Sequence, residues 1–277
     1  MDFKPSRKGP KPKNLVQSIE RVSIILDVLS SYPQGLCLGD LAGHVDLSKG
    51  TVHRLLSSLA FLDYVRQDPL NKKYHLGFKL VELSNILLNQ LDLRKAAHPH
   101  LLDLAERLQE TAHLVVRDYD EALYIDKVEL HPKQSGLQMV SRLGSRMPMH
   151  CCSVGKVLLA HLPEKVIDEI LLSRGLPAKT ANTITDIPRL KIYLQRVRKN
   201  GFAIDNEENE KGIRCIAAPI LNDAGKVVAS ISVSGPATRI TLDILRNSFK
   251  EQICATATEI SRLLGFQKGW GGSDCNR

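Results

Sequence analysis

Hydrophobic positions in the first part of the chain follow a helical period and then give way to short strands. Apolar residues recur at three- and four-residue spacing through 15–31, 38–45 and 48–59, which predicts three helices. A Tyr-Pro-Gln-Gly sequence ends the first of them, and a short turn separates the second from the third. Residues 64–67 and 73–76 flank an Asp-Pro-Leu-Asn-Lys turn and predict a hairpin. The pattern therefore indicates three helices followed by two paired strands.

The third of these helices has one apolar face and one basic, hydroxyl-rich face. Its apolar positions recur at i, i+3, i+4 and i+7 and predict contact with a core. Two short helices joined by a tight turn, the second basic at its N-terminus, indicate a helix-turn-helix whose second helix enters the DNA major groove. An ordinary solvated helix face is the alternative. The candidate DNA-contacting residues are Ser48, Lys49, Gly50, Thr51, His53, Arg54 and Ser57 on this helix, with Lys72 and Lys73 on the hairpin.

The hairpin lies where a winged helix-turn-helix domain has its wing, so such a domain is predicted over residues 14–76. Residues 1–13 contain five Lys and Arg, three Pro and one Gly, which predicts a disordered basic arm. The arm either keeps the protein soluble or contacts DNA phosphates or the minor groove.

Two further helices, at 77–90 and 93–110, are expected to link this domain to the rest of the chain. The first is apolar on nearly all sides, which predicts burial either against a second copy of the chain or within one chain. Residues 77–110 are therefore assigned as linker and dimerisation helices.

From about residue 111 the hydrophobic period changes to that of strands mixed with helices. An Asn-Asp-Ala-Gly turn at 222–225 predicts one clear hairpin. The pattern indicates an α+β sensor domain over 111–266 and a flexible tail at 267–277. The predicted strands are 113–118, 122–128, 138–142, 202–204, 212–221 and 227–234, and the predicted helices are 152–162, 164–173, 186–199 and 242–264.

The distribution of charge along the chain indicates a class of partner. The chain of 277 residues has a formal net charge of +8, and residues 1–95 hold 14 Lys and Arg against nine Asp and Glu. A basic excess concentrated around the helix-turn-helix favours an anionic partner such as nucleic acid. The six cysteines match no zinc or redox spacing, and no apolar run is long enough to cross a bilayer. A reduced cytoplasmic compartment is expected, with no metal and no cofactor.

A first cluster of reactive residue types spans 149–156, Met-His-Cys-Cys-Ser-Val-Gly-Lys, at a predicted helix start. Backbone N–H groups there can bind an anion, and Lys156 would add positive charge. A zinc site and a Cys/His nucleophile pair are the sharper alternatives. Adjacent cysteines cannot easily bind one metal in tetrahedral geometry, and no base or oxyanion hole is evident. A buried cysteine acting as a small hydrophobic side chain is favoured for at least one of the pair.

A second cluster contains four acids within six positions, Asp205, Glu207, Glu208 and Glu210. They can form a solvated turn, bind a cation, or hold a neighbouring loop through hydrogen bonds to its backbone; the solvated turn is favoured. A small polar ligand is a further possibility nearby, with structural hydroxyls as its alternative. The residues that would line its site are Cys215 on one strand, with Ser232 and Ser234 on one face of the neighbouring strand.

Together these stretches resemble the IclR family of bacterial transcription regulators from about residue 15 to residue 266. The resemblance rests on 47–56, 147–160 and 201–219, of which the last is the most specific. It implies a winged helix-turn-helix followed by a GAF-like effector-binding domain, and dimers or pairs of dimers on palindromic operators. The effector-pocket positions implied by the family are Ser153, Val154, Asp205, Ile213, Cys215, Ser232 and Ser234.

The resemblance leads us to expect a ligand-responsive DNA-binding regulator rather than an enzyme. The middle and C-terminal parts look most similar to the sugar-acid-responsive branch, such as ketodeoxygluconate repressors, so a repressor released by a small carboxylate is expected. An activator, or a cysteine-based redox sensor or enzyme in the GAF-like domain, is the alternative. Ser153 and Val154 stand where members often have Gly or Ala, and Cys151-Cys152 replaces a common Ala-Ser pair. The pocket is therefore expected to be narrower or to take a different acid.

Overall fold

The computed structural model describes residues 12–89, 92–130 and 141–267 of the chain. The chain divides into two compact units, Met1–Gln90 and Leu91–Arg277. Most of the predicted basic arm and tail, and residues 138–140 of the predicted strand 138–142, lie outside the described residues.

The first unit is a winged helix-turn-helix, as the hydrophobic pattern predicts. Its core contains the fully buried side chains of Ile25, Leu41, Val52 and Leu56, which come from all three helices of the domain. The strands pair antiparallel and form the wing. The elements are α1 (Gln17–Ser30), α2 (Leu38–Val45), α3 (Lys49–Phe61), β1 (Val65–Gln67), β2 (Tyr74–Leu76) and α4 (Lys79–Asn89).

The turn between α2 and α3 is fixed by local chemistry. Asp46 ends α2 in the left-handed region at φ 51°, a conformation that Asp adopts more readily than most residues. Ser48 then caps α3, since its Oγ accepts the N–H of Thr51 at 3.3 Å. The basic helix therefore begins at a defined residue.

The second unit is an α+β domain built on one six-stranded antiparallel sheet of order β5-β4-β3-β8-β7-β6. Its elements are α5 (Asp92–Leu108), β3 (Thr111–Asp118), β4 (Glu121–Val128), β5 (Arg146–Pro148), α6 (Ser153–Ala160), α7 (Glu164–Arg174), α8 (Ile187–Asn200), β6 (Ala203–Asn206), β7 (Ile213–Leu221), β8 (Val227–Pro236), α9 (Leu242–Ile244), a π-helical turn (Leu245–Phe249) and α10 (Lys250–Leu263).

The two faces of this sheet bury different cores. Leu114, Ile216 and Ile231 point to one face and pack with α5 and α10. Their sequence neighbours Val115 and Ala217 point to the opposite face and pack with α6, α7 and α8. Both sides are covered, so any ligand between the sheet and α6 is enclosed by protein.

Two predictions for this unit are wrong in detail. Residues 141 and 142 are not in a strand, and the edge strand is the three-residue β5, where Met147 pairs with Ala122. A turn with Gly144 at φ 81° separates residues 141 and 142 from this strand. The closing helix is not uniform either, because a π-helical turn at Leu245–Phe249 interrupts it. Apolar spacing does not reveal one inserted residue.

No helix among the described residues is both long enough and apolar enough to span a bilayer.

Candidate functional site

The predicted DNA-contacting residues of α3 lie on its solvent side. All seven are exposed except Thr51, which is half-buried. All three hydroxyls have local partners: Ser57 Oγ donates to the His53 carbonyl at 2.9 Å, and Ser48 Oγ lies 2.9 Å from Thr51 Oγ1. Among the described residues, no acid pairs with Lys49, His53 or Arg54. The helix therefore presents two unpaired cations, Lys49 and Arg54.

Gly50, on the first turn of α3, faces open space: an added Cβ would meet no heavy atom within 4 Å. The packing of the unit does not require glycine at this position. A residue without a side chain lets an external surface approach the helix backbone closely.

The wing, which follows α3 in the chain, carries two more cations. Lys72 is exposed at the hairpin tip with φ 59°, and Lys73 is half-buried immediately before the second strand. Their positions suit contacts with phosphates, which orient a protein on DNA without reading its sequence.

In the second unit, the register of four strands aligns a row of polar side chains. Thr111 of β3 lies opposite Ser234 of β8, which lies opposite Cys215 of β7, which lies opposite Asp205 of β6. Ser234 hydrogen-bonds the Cys215 thiol, and burial raises the pKa of that thiol. Three of the predicted effector residues therefore stand side by side on the face that α6 covers.

The next row along the same face contains Ser232 and a histidine that sequence reasoning missed. His113 of β3 lies opposite Ser232, with its Nδ1 3.4 Å from Ser232 Oγ and its Nε2 3.0 Å from Ser141 Oγ. Its ring contacts Tyr124 edge-on at 5.2 Å. Burial lowers the pKa of His113 to about 3, so the ring is neutral and its two nitrogens have one donor and one acceptor role. The signal in the sequence is a polar residue at an inward position of a strand.

Asp205 is the acidic residue of this site, and only 2% of its surface is exposed. One oxygen, Oδ1, accepts the N–H of Glu208 at 2.7 Å. Burial raises the pKa of Asp205 to about 7, although Lys156 acts in the opposite direction. Near neutral pH this carboxyl is therefore present both as an acceptor and, when protonated, as a donor.

The remaining predicted effector residues come from two places. Ser153 and Val154 are buried in the first turn of α6, and Ile213 is buried near the start of β7 on the same side as Cys215. α6 fits closely at this end, because a Cβ on Gly155 would lie 2.4 Å from the Met149 Cα. The structure thus gathers Ser153, Val154, Asp205, Ile213, Cys215, Ser232 and Ser234 on one side of the sheet and the helix that covers it.

Lys156 does not have the role expected from the sequence. Its ammonium is fully buried and donates to the Ile204 carbonyl and to Glu208 Oε1, each at 2.6 Å. It also lies 4.6 Å from the centroid of the Tyr193 ring. The positive charge expected to help bind an anion is instead neutralised by Glu208 inside the protein.

The four acids at 205–210 do not form a solvated turn. Asp205 and Glu208 are buried, and Glu207 holds the following loop: its Oε2 accepts the N–H of Gly212 at 2.9 Å and its Oε1 pairs with Arg214 at 3.0 Å. The alternative of hydrogen bonds that support a neighbouring loop is therefore correct. The described residues contain no group of three or more His, Cys, Asp or Glu side chains able to hold a metal.

The adjacent cysteines are buried, and burial raises the pKa of both thiols, that of Cys151 to about 12. A thiol reacts as the thiolate, so these two residues are held in their unreactive form near neutral pH. Cys152 packs in a hydrophobic cluster as a small apolar side chain, as favoured from the sequence for at least one of the pair, whereas the Cys151 thiol lies 3.5 Å from Asn209 Oδ1.

Comparisons with known proteins agree with this architecture. Residues 18–69 match the model of the IclR helix-turn-helix domain, and residues 86–262 match that of the bacterial transcriptional regulator IclR C-terminal domain. The HTH-type transcriptional regulator XynR of Escherichia coli K12 is 36% identical over 91% of this chain and 98% of its own length.

The HTH-type transcriptional repressor AllR of Salmonella typhi is 34% identical over 95% of this chain and 96% of its own length. A crystal structure of an IclR homologue from Microbacterium hydrocarbonoxydans, in complex with 4-hydroxybenzoate, superposes with a TM-score of 0.78. The two sequences are 25% identical, and the superposition covers 90% of this chain and 99% of the homologue. With both domain models matched and relatives aligned along nearly its full length, the chain belongs to the IclR family of ligand-responsive, DNA-binding transcription regulators.

Proposed function

We propose that this protein is a repressor of a catabolic operon that leaves its operator when a small organic acid binds the second unit. The observation that carries the proposal is that the chain contains two separate features, one in each unit. One is the unpaired basic face of α3, and the other is the buried polar row beneath α6. The name of AllR supports repression, since that relative is a repressor.

The DNA contacts proposed are those of α3 and the wing. Lys49, Thr51, His53 and Arg54 would reach base edges, whereas Ser48, Gly50 and Ser57 border them. Lys72 and Lys73 would contact phosphates. The separation follows from position: the N-terminal turns of a recognition helix enter the major groove, whereas a wing lies against the backbone, where lysines contact phosphate oxygens.

The chemistry of the polar row favours a small hydroxylated carboxylate as the effector. Ser232, Ser234 and Cys215 supply short donors and acceptors, and the N–H groups that begin α6 favour an anionic group. The homologue bound to 4-hydroxybenzoate carries a ligand of the carboxylate class. Asp205 is compatible with such a ligand when it is protonated, and a sugar acid fits the number of hydroxyl partners best.

A homodimer, or a pair of dimers, on a palindromic operator is the assembly we propose. Four apolar side chains of α4 are exposed by 41% to 61%, namely Val81, Leu83, Ile86 and Leu87. A second copy would cover these side chains, and two copies would present two recognition helices to two half-sites. We also propose the domain layout predicted from the sequence, with linker helices at 77–110. A cytoplasmic location is part of the same proposal.

The proposed mechanism is a population shift between a state that fits the operator and one that does not. A ligand moves such an equilibrium only by as much as its affinities for the two states differ. About 5.5 kcal/mol of difference converts a 1:99 mixture into 99:1. The effector therefore has to contact groups that differ between the two states.

The test uses the full-length protein and duplexes selected by it from a random-sequence library, followed by anisotropy titrations with and without small organic acids. We expect tight binding that one acid weakens, with a thermal shift of the free protein caused by the same acid. Asp205→Ala and Ser234→Ala should abolish the response to that acid and leave DNA binding intact. Failure to select any sequence would overturn the proposal, and an acid that strengthens binding would contradict release of the repressor by its effector.

A further inference from the structure

The tip of the wing displays an apolar side chain that the fold of the first unit does not use. Leu70 is 91% exposed, the highest value among the large hydrophobic side chains that the structure describes. It lies between Pro69 and Asn71 in the connection between β1 and β2. Its exposure is not required by the hairpin, because a polar residue could occupy the same turn position.

The backbone that carries Leu70 is held in place by a network centred on Asp68. Asp68 Oδ1 accepts the N–H of Leu70 at 2.8 Å and that of Asn71 at 3.3 Å, and its Oδ2 accepts from the Asn71 side chain at 3.0 Å. Asn71 Oδ1 in turn accepts the N–H of Lys73 at 2.8 Å. Backbone bonds between Asp68 and both Lys72 and Lys73 close the loop. The tip is therefore ordered before any partner arrives, which reduces the entropy lost on binding.

The charges around Leu70 define the kind of surface that it fits. Within 64–76 Asp68 is the only acid, and hydrogen bonds to the backbone N–H groups of Leu70 and Asn71 lower its pKa. Lys72, Lys73 and Arg66 lie on the same hairpin, although Arg66 also stacks 4.8 Å from the Phe78 ring. The Asp68 carboxylate accepts hydrogen bonds from the tip itself, and three cations on the hairpin outnumber it, so an apolar tip with net positive surroundings matches a narrow apolar groove with negative rims.

The minor groove of duplex DNA is such a surface. Phosphates line its two edges, sugars form its walls, and several DNA-binding proteins insert Leu, Ile, Phe or Pro side chains into it. A second copy of the chain would also cover an exposed leucine, but a contact between two wing tips would bring the lysines of both copies together.

We propose that Leu70 enters the minor groove next to the bases contacted by α3 and makes the wing a reader of sequence as well as of phosphate. The proposal rests on the DNA-binding function proposed above and adds a specificity-determining residue to it. An apolar side chain makes no hydrogen bond to a base, so it discriminates by shape. The N2 amino group of guanine projects into the minor groove and would obstruct it, whereas A·T pairs present only acceptors there.

The experiment compares wild type, Leu70→Ala and Lys72→Ala on an operator selected from random duplexes by the full-length protein. The positions next to the α3 site are A·T, G·C or inosine·C. Inosine lacks the N2 amino group, so inosine·C resembles G·C in the major groove and A·T in the minor groove. Dissociation constants are measured by anisotropy at several salt concentrations, and the oligomeric state by sedimentation.

For wild type we expect binding to weaken about tenfold when the flanks become G·C and to recover with inosine·C. Leu70→Ala should bind all three duplexes equally, with an unchanged salt dependence and an unchanged melting temperature. Lys72→Ala should keep the flank preference but lower the salt slope by about one.

The proposal is overturned if Leu70→Ala retains the wild-type flank preference, or if the loss it causes accompanies a change of oligomeric state. Arg54→Ala distinguishes a failure of the DNA-binding function from a failure of the role of Leu70. Loss of binding in Arg54→Ala with a neutral Leu70→Ala would leave the regulator function standing and remove only the role of the wing tip.

Discussion

The ammonium nitrogen of Lys156 lies 2.6 Å from Oε1 of Glu208, 52 residues further along the chain, and at most 8% of either side chain is exposed. The pair joins α6 to the connection between β6 and β7. It therefore fixes the helix that carries Ser153 and Val154 against the strand that carries Asp205. Burial alone would lower the pKa of Lys156, but the attraction of Tyr193, Glu208 and Asp205 outweighs it and raises the pKa.

Breaking this pair from one side should be strongly destabilising. Lys156→Met leaves the Glu208 carboxylate buried without its cation, and we expect a loss of about 3–5 kcal/mol in the free energy of unfolding. Urea denaturation monitored by circular dichroism measures the change. In the double variant Lys156→Met/Glu208→Leu the unpaired charge is gone, so most of the lost stability should return. A double variant no more stable than Lys156→Met would show that packing, not charge, sets the cost.

Asp205 should make stability depend on pH in the direction opposite to most carboxylates. Its pKa in the folded protein is raised to about 7, so between about pH 4 and pH 7 the folded state binds more protons than the unfolded state. Ionising Asp205 therefore costs folding free energy as pH rises through this window, at about 1.4 kcal/mol per unit of pKa shift. Asp205→Asn keeps an acceptor for the Glu208 N–H and removes the titration.

We accordingly expect the free energy of unfolding of Asp205→Asn, relative to that of wild type, to be larger at pH 8 than at pH 5. Urea denaturation of both proteins at the two pH values gives the comparison. An equal difference at pH 5 and pH 8 would mean that Asp205 is already ionised in the folded protein at pH 5.

His113 should act with the opposite sign. Its pKa falls from 6.5 to about 3 on folding, first because of burial and then because of Lys127. The unfolded state therefore binds the extra proton between those values, and stability is lost as pH falls below 6.5 at up to about 1.4 kcal/mol per pH unit. His113→Gln should remove this loss, so its stability relative to wild type should improve from pH 7 to pH 4. A difference in unfolding free energy between the two proteins that stays constant from pH 7 to pH 4 would contradict a buried neutral histidine.

Local patterns in the sequence were sufficient to predict part of this structure. The spacing of Val52, Leu56 and Leu59 defined the buried face of α3, and the hairpin after it defined the wing. Strand alternation placed Ser232 and Ser234 on one face, because side chains two residues apart share a face whatever the sheet order. These features depend only on near neighbours in the chain.

Features that depend on distant contacts could not be predicted in this way. Lys156 was assigned to an anion site because its partner Glu208 is brought beside it only by the packing of α6 over the sheet. His113 was missed for a related reason, since its partners Ser141 and Ser232 come from other segments. A polar residue at an inward position signals that a partner exists, but not which residue it is.

Arg54 is the residue of α3 whose removal should cost most in operator binding. It is exposed, no described acid pairs with it, and its planar guanidinium can donate two hydrogen bonds to a guanine. Arg54→Ala should weaken binding to the selected operator by about 1–3 kcal/mol and relax the preference at one base pair, as measured by anisotropy on single-position variants of the operator. Arg246→Ala is a matched control, since Arg246 is also exposed and lies in the second unit. If both variants lose the same affinity with no change in base preference, Arg54 supplies only general charge. If neither loses any, the basic face of α3 is not the DNA-binding surface.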